Sequence, residues 1–327
     1  MLRARVVGTG SYLPEKILHN HELEKIVDTT DEWITSRTGM KERRIAAPLE
    51  TTSYMGAQAA KKALQAADVA IDAIDLIIVA TITPNYMFPS TACLIQADLG
   101  AQKAAAFDIQ AACSGYAYGL SLAKAYIESG MYACVLVIAS EKLSSFVDYQ
   151  DRSTCVLFGD GASAAVVGSI QPGLEIESVV LGADGMQKDL LCLPGGGSSM
   201  PASHETVEQR LHYIKMEGKE VYKHAVRRME SAALQCLEKI GAKQDQISYL
   251  IPHQANMRII EGLAKRFDIE PDKVFVTIHK YGNTSASSCG IALDELLEEK
   301  TLYLGDRLLL VAFGAGLTWG GVVLKKI

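Results

Sequence analysis

The chain has 327 residues, 49% of them hydrophobic and 21% charged, with a net charge of −6, enough length to bury roughly three-quarters of its unfolded surface without staples. The acidic balance argues against nucleic acid as the main partner, and no apolar run approaches the length that spans a bilayer. The 7 cysteines are scattered with no Cys-x-x-Cys pair, from which neither a disulfide framework nor a zinc site follows and with which a reducing cytoplasm fits, as does an N-terminus without a cleavage signal.

In chain order, Arg3 to Gly8 reads as a strand and Gly10 to Pro14 as a turn. Gly8-Thr9-Gly10 starts like a dinucleotide fingerprint, but position 13 is Leu and no long helix opens there, so that reading is rejected. His21 to Val27 is a short helix. A second helix follows, capped by Thr30 or Asp31, and on it Trp33 and Arg37 stand four apart on one face. An indole beside a guanidinium suits a stacked purine, and a cation–π contact with no ligand suits the spacing equally well. Thr52 to Ala67 is helical and Asp75 to Thr81 is a buried strand. After the loop Thr83 to Pro89, Ser90 caps a helix to Leu99.

Ala104 to Ile109 reads as another buried strand. The chain then turns at Ala111, Ala112 and Cys113 and enters a helical pattern through Gly119, Leu122, Ala123, Tyr126 and Ile127. A thiol at the first turn of a helix has its thiolate favoured by the dipole and free N–H groups. A buried cysteine acting as a small hydrophobe is the more frequent case. Cys134 to Ala139 is a strand, Ser140 to Ser153 a polar loop, and Phe158-Gly-Asp-Gly-Ala-Ser163 a tight turn before a strand ending near Ile170.

From Gln171 to Pro201 the texture is turns and glycines. Pro194-Gly-Gly-Gly-Ser-Ser lacks the Lys-Ser/Thr of a phosphate loop. Val207 to Ile240 reads as one long helical stretch carrying a basic stripe, Lys215, Lys219, Lys223 and Arg227. Such a stripe is usually a solvated face, and Glu217 and Glu220 dilute it, yet in an acidic protein it could dock an acidic partner.

The second half repeats the first. Strands at Ile247–Ile251, Lys273–Ile278 and Arg307–Phe313 alternate with helices to Phe267 and Glu299, matching the first-half order. The expected architecture is α/β, with two duplicated halves at residues 1–170 and 171–327. His253 and Asn283 follow matched strand ends, where ligands gather in open α/β sheets, although an isolated buried His or Asn is more often a satisfied structural group. Phe313-Gly-Ala-Gly-Leu-Thr-Trp319-Gly-Gly could aim backbone N–H groups at an oxyanion or simply form a hairpin.

Taken together, the sequence resembles the β-ketoacyl-[acyl-carrier-protein] synthase III family of the thiolase superfamily. The resemblance spans the chain. It rests on Gly8-Thr-Gly-Ser-Tyr-Leu-Pro14, Asp31-Glu-Trp-Ile34 with Arg37-Thr-Gly39, Asp108-Ile-Gln-Ala-Ala-Cys113-Ser-Gly115 and Phe158-Gly-Asp-Gly-Ala162. Ile251-Pro-His-Gln-Ala-Asn256, Tyr281-Gly-Asn-Thr-Ser285 and Phe313-Gly-Ala-Gly-Leu-Thr-Trp-Gly320 complete it.

The resemblance implies a thiolase-like fold with an αβαβα layered core. It also implies a condensing acyltransferase that starts fatty acid biosynthesis from an acyl-CoA and malonyl-[acyl-carrier protein]; the sequence leaves acetyl and branched primers open, with a slight lean to acetyl-CoA. Cys113 would take the acyl group, while His253 and Asn283 would bind the malonyl thioester and stabilise its enolate. The backbone N–H groups of Cys113 and Ala315 would form the oxyanion hole. Trp33 and Arg152 would sandwich the adenine, with Thr29 and Arg37 nearby and Asn256 on the pantetheine. Lys223 and Arg258 would meet the carrier protein. Phe88, Met216 and Phe313 would shape the acyl pocket, Phe88 reaching into a partner subunit's pocket, so a homodimer is implied. No metal and no resident cofactor is implied, because the substrates carry their own coenzyme A and phosphopantetheine.

A departure from the family pattern, Ser288-Cys289-Gly290, is expected to alter only local packing. A thiolate of lowered pKa would serve as both nucleophile and leaving group. No carboxylate appears in the His253 and Asn283 motifs, where it would oppose the developing enolate. The rivals are a relative joining acyl groups to other acceptors and a non-catalytic paralogue that binds carrier protein.

Overall fold

A computed structural model describes residues 2–327. The first half builds β1 (Arg5–Tyr12), β2 (Ile17–His19), α1 (Asn20–Leu23), α2 (Asp31–Thr38), β3 (Glu42–Arg44), α3 (Thr52–Ala67), β4 (Leu76–Ala80), α4 (Thr91–Leu99), β5 (Ala105–Ile109), α5 (Gly115–Glu128), β6 (Cys134–Glu141), α6 (Arg152–Cys155) and β7 (Gly161–Gly168). The second builds β8 (Leu174–Ala183), β9 (Leu191–Cys192), α7 (His204–Glu208), β10 (Lys215–Met216), α8 (Gly218–Ile240), β11 (Tyr249–Pro252), α9 (Met257–Arg266), α10 (Ile278–Tyr281), α11 (Ser288–Glu299), β12 (Arg307–Gly314) and β13 (Thr318–Lys326).

The main sheet runs β11-β12-β13-β8-β1-β7-β6-β4-β5. Its two wings join only where Arg5 and Val6 pair with Glu175 and Leu174, and they mirror each other outward from that seam. α5 and α11 pack between the wings and touch strands of both, forming the central core. α3 covers the outer face of the first wing, and α8 and α9 cover that of the second. The layers therefore run helix, sheet, helix, sheet, helix, which is the expected thiolase-like order.

Gly8 and Gly10 have a packing role. A Cβ at either would come within 2.5 Å of a backbone nitrogen of α3, at Ala67 or Ala63, so glycine lets β1 lie flush on an alanine-lined helix. β1 accordingly runs on to Tyr12, through the turn expected at Gly10.

Several expectations are corrected. The turn-rich reading of Gln171–Pro201 missed β8, whose Leu174, Ile176, Ser178 and Val180 are buried in alternation with more exposed neighbours. Glu175 and Glu177 between them hid the strand, and Glu177 is paired with Arg307 and Lys325. The stretch Val207–Ile240 is not one helix. It breaks at Arg210, held at φ 56° and ion-paired with Asp148, and Lys215 then joins β10, off the α8 stripe. Lys273–Ile278 is not a ladder strand either, since it makes only the bridge Leu250–Val274. The Gln254 side chain takes the place of a neighbouring strand there, accepting from the N–H groups of Thr277 and Ile278 at 2.9 and 3.1 Å. β5 is partly exposed because only β4 pairs with it. The helix expected to reach Val27 stops at Leu23.

Candidate active site

The candidate groups converge from three places: two matched turns carry Cys113 and Asn283, and His253 follows the strand β11. After β5 the chain passes Ala112 at φ 45°, a left-handed value for a non-glycine, and places Cys113 in a 3₁₀ turn leading into α5. In the second half Ser285, at φ 52°, opens the corresponding turn ahead of α11. The two tips abut: a Cβ on Gly115 would meet the Ala286 methyl at 3.2 Å. The β12–β13 hairpin crosses above them, fastened by the Thr318 hydroxyl donating to Ala111 O at 2.8 Å.

A Cβ at Gly314 would lie 2.6 Å from Cys113 N, so the backbone around Ala315 runs beside the Cys113 amide. Replacing Gly314 by Ala would force the hairpin away from that amide. The expected result is a loss of acyl transfer of about 10²-fold, the scale for removing one oxyanion donor. Single-turnover acylation measures it.

His253 follows β11, with its N–H donating to Val311 O at 2.8 Å. Its imidazole is 2% exposed, and burial holds its pKa down to about 3, so the ring is neutral. Nδ1 lies 2.6 Å from the Ser288 hydroxyl. With that hydroxyl donating, the ring proton sits on Nε2, which becomes a donor. Asn283 Oδ1 accepts the Ser285 N–H at 2.8 Å, leaving the Nδ2 hydrogens free to donate.

Cys113, His253 and Asn283 line one cavity of about 450 Å³. It passes Met216, Phe158 and Phe313 and reaches Trp33, Arg37, Lys219 and Arg258 at its mouth. Beyond the thiol lies a second cavity of about 370 Å³, walled by Ile82, Leu143, Phe146, Leu191 and Ile214. Cys113 belongs to both.

The expected lowered thiol pKa is not found. Burial pushes Cys113 up to about 12, against the opposing pull of the Ser285 side chain and its own backbone N–H. Desolvation of the charged form outweighs the helix tip here, so the resting group is a thiol.

The other expected residues divide. Trp33, Arg37, Asn256 and Arg258 line the channel. Thr30 accepts the Trp33 N–H and caps α2, and Asn256 caps α9. Arg152 lies 4.8 Å from the Trp33 ring centre and Arg37 lies 5.0 Å from it. Arg152 is held by Asp28 O at 2.8 Å. A base sandwiched between Trp33 and Arg152 needs about 7 Å, two stacking distances, so the guanidinium must swing back to admit one. Thr29 does not line the channel, and its buried hydroxyl has no partner. Lys223 is exposed on α8 and paired with Glu220 at 2.6 Å.

Met216 and Phe313 line the outer channel rather than the inner cavity. β10 pairs with β9 along that channel, and Phe313 packs into the α8 core. Phe88 lies outside both cavities of its own chain and is 86% exposed. Sequence reasoning missed the inner-cavity walls, the hydroxyls of Ser285 and Ser288, and Glu141. This carboxylate is fully buried and accepts from Ser285 at 3.2 Å, an acid that lies outside the His253 and Asn283 motifs. Its only signal was an acid closing the apolar run of β6.

Two family models match the chain: 3-oxoacyl-[acyl-carrier-protein (ACP)] synthase III over residues 107–185, and the C-terminal model of the same name over residues 237–326. A β-ketoacyl-[acyl-carrier-protein] synthase III of Chlamydia trachomatis serovar D is 60% identical over 327 residues, covering 100% of both chains. That of Caldanaerobacter subterraneus is 56% identical, covering 99% of this chain and 98% of its own. The crystal structure of 3-oxoacyl-[acyl-carrier-protein] synthase III from Aquifex aeolicus VF5 superposes with a TM-score of 0.91 at 51% identity, covering 98% of this chain and 99% of that one.

Proposed function

Because the chain belongs to the 3-oxoacyl-[acyl-carrier-protein] synthase III family, and so is an acyltransferase of the initiating condensation of fatty acid synthesis, we propose that Cys113 is its nucleophile and that His253 and Asn283 are its enolate-binding pair. The thiol takes an acyl group from acyl-CoA as a thioester, acetyl being the favoured primer. Malonyl-carrier protein then enters the same channel and loses carbon dioxide. Its enolate carbon attacks the acyl-enzyme, giving a 3-oxoacyl-carrier protein and freeing the sulfur.

The observation that carries this reading is the convergence of the thiol, imidazole and carboxamide on one cavity. A neutral Nε2–H and an amide N–H, both on buried side chains, stabilise an enolate oxygen without a permanent charge. The N–H groups of Cys113 and Ala315 serve the tetrahedral intermediates. The substrates bring the pantetheine thioester, so the residues need no resident cofactor. Intact-mass measurement after mixing with acetyl-CoA tests the reading: one acetyl adduct on Cys113, discharged by malonyl-carrier protein, is expected, and no adduct would sink it.

At the mouth, the channel places Arg37, Lys219 and Arg258 where a phosphorylated nucleotide or an acidic carrier protein would arrive. Thr29, off the channel, follows the Asp28 carbonyl that holds Arg152, and Lys223 extends the basic rim along α8. The expected effect of Trp33→Ala is a KM for acetyl-CoA raised about tenfold, with kcat for the bound substrate nearly unchanged. Steady-state kinetics checks it.

A homodimer is part of the same reading. The tip Tyr86, Met87 and Phe88 is 59%, 81% and 86% exposed, an apolar cluster of the kind that marks an interaction surface. In a dimer it would close the partner protomer's acyl cavity. Among the described residues no helix is long and apolar enough to cross a membrane, and we place the enzyme in the cytoplasm with its water-soluble substrates.

A further inference from the structure

Glu141 ends β6 with no exposed surface. Its carboxylate accepts the Thr83 hydroxyl at 2.7 Å, the Thr81 hydroxyl at 3.2 Å, the Ile82 N–H at 3.1 Å and the Ser285 hydroxyl at 3.2 Å. No cation is paired with it among the described residues; Lys142, next in the chain, turns its ammonium to Ala47 O at 2.7 Å. The Ser285 hydroxyl that donates to Glu141 lines the inner cavity together with the Cys113 thiol, and the charge of Glu141 opposes ionisation of that thiol. Cys113, Ser285, Ile82 and Thr83 share the inner cavity. A buried carboxylate without a counter-charge is costly, and tying Thr81–Thr83 to Ser285 would not by itself require an ionisable group.

We propose that Glu141 accepts, through the Ser285 hydroxyl, the proton Cys113 gives up on acylation, holds it while the acyl-enzyme persists, and returns it when condensation expels the sulfur. The inference rests on Cys113 being the nucleophile. In the first step the sulfur–carbonyl bond forms and the carbonyl–CoA sulfur bond breaks. The thiol proton passes to the Ser285 oxygen as the Ser285 proton passes to Glu141. CoA leaves as a thiolate and takes a proton from solvent. In the second step the malonyl carboxyl leaves as carbon dioxide, its electron pair forms the new carbon–carbon bond, and the acyl–sulfur bond breaks. The Cys113 thiolate then recovers its proton along the same path. One solvent proton is consumed per turnover, as the net reaction requires.

The environment of each partner supports this direction. The thiol is neutral at rest and must lose its proton to something. Burial makes His253 a poor acceptor, whereas it pushes Glu141 up to about 7, where a carboxylate can both take and release a proton near neutral pH.

The test is single-turnover acylation of Cys113 by acetyl-CoA, followed by mass against pH, in wild type, Glu141→Gln, Glu141→Asp and Ser285→Ala. The wild-type rate should rise with pH through about 7, because only the ionised carboxylate accepts. Glu141→Gln should acylate about 10²-fold more slowly, the scale of a lost general base, and should lose that limb. Glu141→Asp should keep the limb, and Ser285→Ala should match Glu141→Gln. Malonyl decarboxylation without primer, a step needing no thiol proton transfer, should stay within about twofold.

A Glu141→Gln enzyme with wild-type rate, or with the limb intact, overturns the proposal. So does an equal loss of acylation and decarboxylation, which marks a structural role. If Glu141→Gln does not fold, Ser285→Ala decides by the same limb. Absence of an adduct in wild type would instead refute the nucleophile itself, so the two failures are distinguishable.

Discussion

Replacing Cys113 by Ala is expected to lower acetyl-CoA-dependent release of CoA by about 10⁴-fold or more, the scale seen when a covalent nucleophile is removed. The methyl group keeps the volume of the tip nearly unchanged, and Cys113 is only 7% exposed, so the turn should hold its shape. Malonyl-carrier protein should still bind and slowly lose carbon dioxide, because Nε2–H of His253 and the Asn283 amide remain in place. Mass analysis should find no acyl adduct. A variant that still condenses would move the nucleophile elsewhere. Cys192 lines the inner cavity, while Cys289 is buried against the carbonyls of Ile251 and Val311.

Replacing His253 by Ala should divide the reaction at its other half. Malonyl decarboxylation and condensation should fall by about 10²–10³-fold, as when an oxyanion donor is removed, while acylation of Cys113 continues and the acyl-enzyme accumulates. Burst kinetics with acetyl-CoA, followed by malonyl-carrier protein, reads both steps.

The same residue makes a statement about acid. Its pKa in the folded chain is about 3, below the roughly 6.5 of an exposed imidazole. The unfolded chain therefore binds the proton first. Stability supplied by the neutral, buried ring is complete above about pH 6.5 and drains away as pH falls toward 3. His253→Gln, with no charge to acquire, should show a shallower loss of thermal midpoint between pH 6 and 4.

Much of this site was legible in the sequence because its signals are local. The Ser90 and Thr30 caps, the alanine face of Thr52–Ala67 and the small residues around Cys113 each declare themselves within a few positions. The internal repeat placed His253 and Asn283 at ends equivalent to those of the first half. β8 escaped because its outward acids looked like a loop, although their alternation was a strand signal. The Val207–Ile240 stretch was misread because helical spacing does not register a break that an Asp148–Arg210 pair imposes from another segment.

The chain by itself singled out the side chains proposed here for the chemistry and the strand–helix order that repeats in its two halves, since both are read from nearby residues and from repetition. Only the tertiary structure decided how those groups behave. Desolvation turned an expected thiolate into a thiol and kept the imidazole neutral, and packing brought Glu141 behind Ser285 from the end of a distant strand. Those outcomes depend on which atoms surround a group once water has been excluded, and no local pattern of letters records that.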